Sequence, residues 1–297
     1  MTIYRAQHSG FCFGVKRAIK LAQDAKAHYI GKQIFTLGEL IHNPQIVHEL
    51  KNGGIEPANS VDELHDSVVI IRSHGITRSE RLELQQNGNV IIDATCPYVA
   101  RTHELIRDMI REGYQVYIMG DADHPEVIGM LSYGDEHTRV ISPREDVCKA
   151  KYQKVSLISQ TTQKMDDLIN LSGKLLNCTK ELRIFNTICL ATSERQTASL
   201  SLASETDLVF VVGGKHSSNT RQLYAICKAQ TECYHIEDET EITPEMLIGK
   251  ETIGITAGAS TPDDMIIKVY NQIKEINRDP SFAKSIEEIP LFKEESC

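Results

Sequence analysis

Three segments of this chain follow one plan, and that repetition limits the fold more than any other feature of the sequence. Each begins with a strand-like stretch leading to a cysteine: YRAQHSGFC to Cys12, VIIDATC to Cys96 and LRIFNTIC to Cys189. The spacings are 84 residues (96 minus 12) and 93 residues (189 minus 96). After each cysteine, apolar residues recur every three to four positions, as in Val15, Ala18, Ile19 and Ala22, or Val99, Ile106, Met109 and Ile110. That is the period of a helix buried along one face. Pro97 after Cys96, and the capping box Ser193 to Gln196 after Cys189, are helix-start chemistry. The pattern therefore predicts a cysteine near each helix N-terminus.

The next strand of each repeat ends in glycine and a polar loop: QIFTLGELIHN, QVYIMGDADHPE and LVFVVGGKHSSN. Counted from the repeat's own cysteine, His42 stands at +30, His124 at +28 and Ser217 at +28. A further helix, a short apolar strand and an acid-rich capped segment follow, then a last strand: VVIIRSHG, VSLISQTT and TIGITAGAS. On these tips His74 is at +62, Thr161 at +65 and Ser260 at +71. The polar tips recur in step through the whole chain.

Strands alternating with helices form parallel sheets with helices on their faces, and ligand sites in such sheets lie beyond the carboxyl ends of the strands. The expected fold is therefore α/β: three pseudo-equivalent units with mainly parallel sheets around a central site where Cys12, Cys96 and Cys189 meet. Their boundaries are read as 13–96, 97–189, and 190–277 with 1–12, followed by a loose, charged extension at 278–297.

Composition narrows the partners. With 32 Lys+Arg against 41 Asp+Glu the net charge is -9, which argues against a nucleic-acid partner. No apolar run is long enough to span a bilayer and no secretory signal is visible, so a soluble, cytoplasmic protein without a membrane partner is expected. Eight cysteines without a CxxC pair point to reduced thiols, metal or redox chemistry before disulfides.

Iron-sulfur clusters are usually held by four cysteines. A cluster on three would leave one iron free for a substrate oxygen, a Lewis-acid site with access to electrons. The polar tips suit an anion: His42, His74 and His124 can donate hydrogen bonds. Ser217, Ser218, Asn219 and Ser260 add hydroxyls, an amide and helix N-termini. Glu126, in HPEV on these tips, could supply protons.

With GFCFGV, GELIHN, RSHG, DATCP, HPEV, SQTT, TICLATSERQ, GKHSSN and AGASTPD in this order over residues 10–263, the chain resembles the 4-hydroxy-3-methylbut-2-enyl diphosphate reductases of the non-mevalonate isoprenoid pathway. The resemblance implies a [4Fe-4S] cluster on Cys12, Cys96 and Cys189. It implies reductive loss of the substrate's allylic hydroxyl as water, its oxygen bound to the open iron, giving isopentenyl and dimethylallyl diphosphates. By the same resemblance His42, His74, Ser217, Ser218, Asn219 and Ser260 match diphosphate-binding positions. His124, Thr161 and Glu126 match positions near the hydroxyl, with Glu126 delivering the proton and Thr162 adjoining them. A ferredoxin or flavodoxin is the electron donor it implies.

Two rivals use similar ligands. An aconitase-like hydro-lyase also has an iron without a protein ligand but needs no external electrons, and an iron-sulfur redox sensor would need no diphosphate cradle. Cys148, Cys178, Cys227, Cys233 and Cys297 have no counterparts among the repeats and are read as packing or surface thiols. His103, His137, His235 and the remaining histidines are read as ordinary, and Lys215 as solvated.

Overall fold

The structure, a computed structural model, describes residues 1–147 and 151–278. The chain divides into two compact units: Cys12–Ser193, and Met1–Phe11 together with Glu194 and the residues after it.

The larger unit opens with α1 (Phe13–His28) and then builds a sheet from β2 (Ile34–Leu37), β3 (Ile55–Ala58), β4 (Val68–Ile71) and β5 (Val90–Asp93), with α2 (Pro44–Asn52) and α3 (Arg78–Gln86) between strands. After α4 (Pro97–Arg111), a second sheet follows from β6 (Gln115–Met119), β7 (Thr138–Ile141), β8 (Tyr152–Ser159) and β9 (Thr179–Phe185), with α5 (Pro125–Leu131) and α6 (Met165–Leu176) as crossovers. Strand order is β3-β2-β4-β5 in the first sheet and β7-β6-β8-β9 in the second, and every pairing is parallel. Sequence explains the positions. VVII of β4 is buried at all four residues, as a central strand covered on both faces requires, whereas edge strand β5 is at most half-buried.

After α7 (Leu190–Glu205), the smaller unit forms its sheet from β10 (Leu208–Val212), β11 (Glu232–Ile236) and β12 (Thr252–Ala257), with α8 (Ser218–Lys228) and α9 (Asp263–Arg278). Its fourth strand is the N-terminal β1 (Thr2–Arg5), parallel to β12 from Thr2 opposite Thr252 to Arg5 opposite Ile255. The order β11-β10-β12-β1 is that of the other two sheets, so three parallel α/β sheets repeat one topology. Phe210, Ile253 and Val269 form part of its core. We keep 13–96, 97–189, and 190–277 with 1–12 as a proposal for the repeat boundaries; compactness separates two units. The expected extension lies outside the described residues beyond Arg278, the last residue of α9.

Three local expectations are corrected. The strands stop before their cysteines, at Arg5, Asp93 and Phe185, because the chain must leave the sheet to start a helix. The Ser193 to Gln196 box does not start α7. The amides of Thr192 and Ser193 already donate to the carbonyl of Cys189, so the helix begins at Leu190 and the box is absorbed into its first turns. Cys178, read as a thiol, is disulfide-bonded; which thiols come within bonding distance is set by the fold and not by their spacing in sequence.

Candidate active site

Each repeat cysteine stands at the start of a helix in the larger unit. Cys12 and Cys96 are the N-cap residues of α1 and α4, in extended backbone, and their carbonyls accept from Lys16 and Ala100 at 3.0 and 2.9 Å. Cys189 directly precedes α7. Other tips hold these cysteines by their amides: Cys96 donates to Ser73 O at 2.9 Å and Cys189 to Thr161 O at 3.0 Å. All three are half-buried. Their thiols are close enough to sense one another: burial first, then the charges of Cys12 and Cys189, push the Cys96 thiol up to about 11, while the amides of Tyr98 and Val99 pull it down. Gly14 has no room for a side chain, since a Cβ there would lie 2.8 Å from Cys96 Sγ and 3.8 Å from Cys12 Sγ. Three crowded thiols resist ionising together unless a cation replaces the protons, so the donor set fits a thiolate-bound metal centre.

In the same unit His42, His74 and His124 come together. Ring centroids lie 4.5 Å apart for His42 and His74, 5.4 Å for His74 and His124, and 5.8 Å for His42 and His124. Each ring comes from a strand tip: His42 from the loop after β2, before Asn43 caps α2 by accepting from Ile46 N at 3.0 Å; His74 from the turn after β4; and His124 as N-cap of α5. Burial, then the neighbouring His42, His124 and Arg72, lowers the His74 pKa well below the usual imidazole range. His124 Nδ1 accepts from Glu126 N at 3.1 Å, which assigns the ring proton of the neutral form to Nε2.

Glu126 lies in the first turn of α5 and is 1% exposed. Thr161, at the tip of β8, donates its amide to Glu126 Oε1 at 2.7 Å and its hydroxyl to Oε2 at 2.8 Å. Burial outweighs these two bonds and raises the carboxyl to about 7. Thr161 thus joins the acid, through its side chain and amide, to Cys189, through its carbonyl.

The smaller unit holds Ser217, Ser218, Asn219 and Ser260, all buried. Ser217 caps α8 and its Oγ accepts from Thr220 N at 3.4 Å. Strands β10 and β12 are neighbours, and their following loops meet: a Cβ on Gly258 would come within 2.2 Å of Thr220 Oγ1, and one on Gly213, at φ +140, within 2.6 Å of Thr261 Oγ1. Both amide atoms of Asn219 are buried with no hydrogen-bond partner among the described residues. A buried amide in that state suits an oxygen-rich ligand. Lys215 is tied at the surface to Glu241 at 2.6 Å.

The structure therefore gathers the three cysteines, the three histidines and the Glu126–Thr161 pair in the larger unit, and the serines with Asn219 in the smaller. Sequence reasoning missed two residues that hold these tips. Arg72 Nε donates to Gly75 O at 3.2 Å, closing the turn that carries His74. Gln160 is fully buried, and its Oε1 accepts from Asp121 N at 3.0 Å, tying the loop after β6 to Thr161. Their signal was adjacency: each stands within two residues of a tip residue that recurs in register.

The profile of the LytB protein family matches residues 3–274. A 4-hydroxy-3-methylbut-2-enyl diphosphate reductase from Aquifex aeolicus is 45% identical over 276 residues, covering 91% of this chain and 95% of that protein. The protein of that name from Wolinella succinogenes is 45% identical over 278 residues, 92% of this chain and 99% of its own. Among solved structures, (E)-4-hydroxy-3-methyl-but-2-enyl diphosphate reductase, the terminal enzyme of the non-mevalonate pathway, is similar with a TM-score of 0.67 at 43% identity, covering 92% of this chain and 99% of that one. The E-1-hydroxy-2-methyl-but-2-enyl-4-diphosphate reductase from Plasmodium falciparum has a TM-score of 0.84 at 25% identity, covering 98% and 95%. No helix among the described residues is long and apolar enough to cross a membrane.

Proposed function

Because the chain belongs to the LytB protein family, we propose that it reduces (E)-4-hydroxy-3-methylbut-2-enyl diphosphate, removing the allylic hydroxyl as water to give isopentenyl and dimethylallyl diphosphates. Cys12, Cys96 and Cys189 would hold one [4Fe-4S] cluster. Bound there, the cluster supplies electrons and a Lewis-acid iron. A ferredoxin or flavodoxin would feed it, and the cytoplasm would house it.

The chain's own residues supply binding and protons. His42, His74 and His124 offer N–H donors to substrate oxygens, and Ser217, Ser218, Asn219 and Ser260 offer hydroxyls and an unpartnered amide to the diphosphate. The observation that carries the reading is the Glu126–Thr161–Cys189 chain. A buried carboxyl with a pKa of about 7 keeps a proton available near neutrality, as a general acid requires. Thr161, bonded to both carboxyl oxygens and to the Cys189 amide, orients that acid towards the reacting hydroxyl.

The test is an oxygen-free assay of iron-loaded protein with and without a one-electron reductant. Product formation only with reductant supports a reductase. Turnover without reductant would instead favour the aconitase-like hydro-lyase.

A further inference from the structure

We infer that His103 is a positioning residue that holds the turn carrying His74 against α5 and so sets the spacing of the three-histidine cluster. His103 lies on α4 seven residues after Cys96 (103 minus 96), two helical turns on and therefore on the same face. It is 6% exposed and stacks on Tyr133 with ring centroids 4.3 Å apart at 15°.

Two glycines make room for this ring. A Cβ on Gly75, the residue after His74, would meet His103 Cε1 at 3.2 Å, and Gly75 has φ +76. A Cβ on Gly129 of α5 would lie 3.6 Å from His103 Nε2, 3.6 Å from Ile76 O and 3.9 Å from His74 O. The imidazole is thus wedged between the His74 turn and the helix capped by His124, with Nε2 and the two turn carbonyls around a single point.

A branched aliphatic side chain in this space would lose the flat face that stacks on Tyr133. His103 Nε2 has no hydrogen-bond partner among the described residues, so the ring holds the turn by its shape and not through a hydrogen bond. Burial lowers the ring's pKa to about 4, so it adds no positive charge beside His74.

This inference rests on the reading that His74 binds the substrate's diphosphate, and a double-mutant cycle keeps the two apart. The iron-loaded full chain would be compared as wild type, His103→Leu, His74→Ala and the double variant, for KM, kcat and inhibition by inorganic diphosphate. Loss of positioning predicts that His103→Leu raises KM ~10-fold with kcat within ~3-fold of wild type, the signature of weakened binding. In the His74→Ala background the same change should add less than ~2-fold, because the two act through one contact. His103→Phe, which keeps a flat ring in the wedge and against Tyr133, should recover most of the loss. If His74→Ala leaves KM and diphosphate inhibition unchanged, the binding reading falls and this inference with it. If His74→Ala raises KM and the His103→Leu effect persists undiminished beside it, the inference alone is overturned. Should His103→Leu not fold, Tyr133→Leu, which removes the stacked ring, enters the same cycle with a smaller coupling of the same sign.

Discussion

A carboxylate that accepts two hydrogen bonds from one threonine would ordinarily ionise more readily, yet Glu126 moves the other way, from 4.5 to about 7, because burial dominates. The protonated fraction therefore falls as pH rises through about 7, and single-turnover reduction should slow along that limb in oxygen-free kinetics. Glu126→Gln keeps the size and the acceptor oxygen but cannot donate a carboxyl proton; it should turn over at least ~100-fold more slowly while still binding substrate. Stability falls in the same direction. Native protein holds the Glu126 proton between pH 4.5 and about 7 while an unfolded chain releases it, so this residue costs stability progressively across that window and fully above it. The melting temperature of Glu126→Gln, relative to wild type, should accordingly be more favourable at pH 8 than at pH 5. Asn219 offers a second residue-scale test. Its unpartnered amide predicts that Asn219→Ala weakens inorganic diphosphate binding by ~1–3 kcal/mol, measurable by titration calorimetry; unchanged affinity would move the diphosphate away from α8.

Helix starts do the work at the next scale. The cysteine-then-helix pattern was legible because strand, cysteine and helix follow one another within a dozen residues, where local propensity operates. Less legible was how tightly α1 approaches Cys96, a contact between residues 82 positions apart (96 minus 14). Gly14→Ala would put its Cβ 2.8 Å from Cys96 Sγ. The sulfur would have to rotate away from the other two thiols, so iron per chain should fall several-fold, while far-UV circular dichroism stays near wild type because alanine favours helix. Retained iron and colour in Gly14→Ala would show that the thiols do not converge on one centre. The SERQ segment teaches the converse: a capping box is only a local option, and it is not used when the preceding Cys189 carbonyl already starts the helix.

Across the whole molecule one strand order is used three times, and in the third sheet the edge place is taken by β1 from the far end of the chain. Ile3 on β1 is 5% exposed within the core of the smaller unit. Ile3→Ala should therefore destabilise the protein by ~2–4 kcal/mol, readable in chemical unfolding, although the strand is four residues long and terminal. A cost within experimental error would mean that β1 is an appendage to the sheet. By itself the sequence determined the alternation of strands and helices, their threefold recurrence and the residues standing at the strand tips, because periodicity and turn chemistry are properties of neighbours along the chain. Only the tertiary structure decided that Glu126 holds its proton near neutrality, that His103 is wedged behind His74, and that Cys178 is disulfide-bonded. Burial, close approach and bond formation depend on which distant residues are packed together, and no local pattern records that.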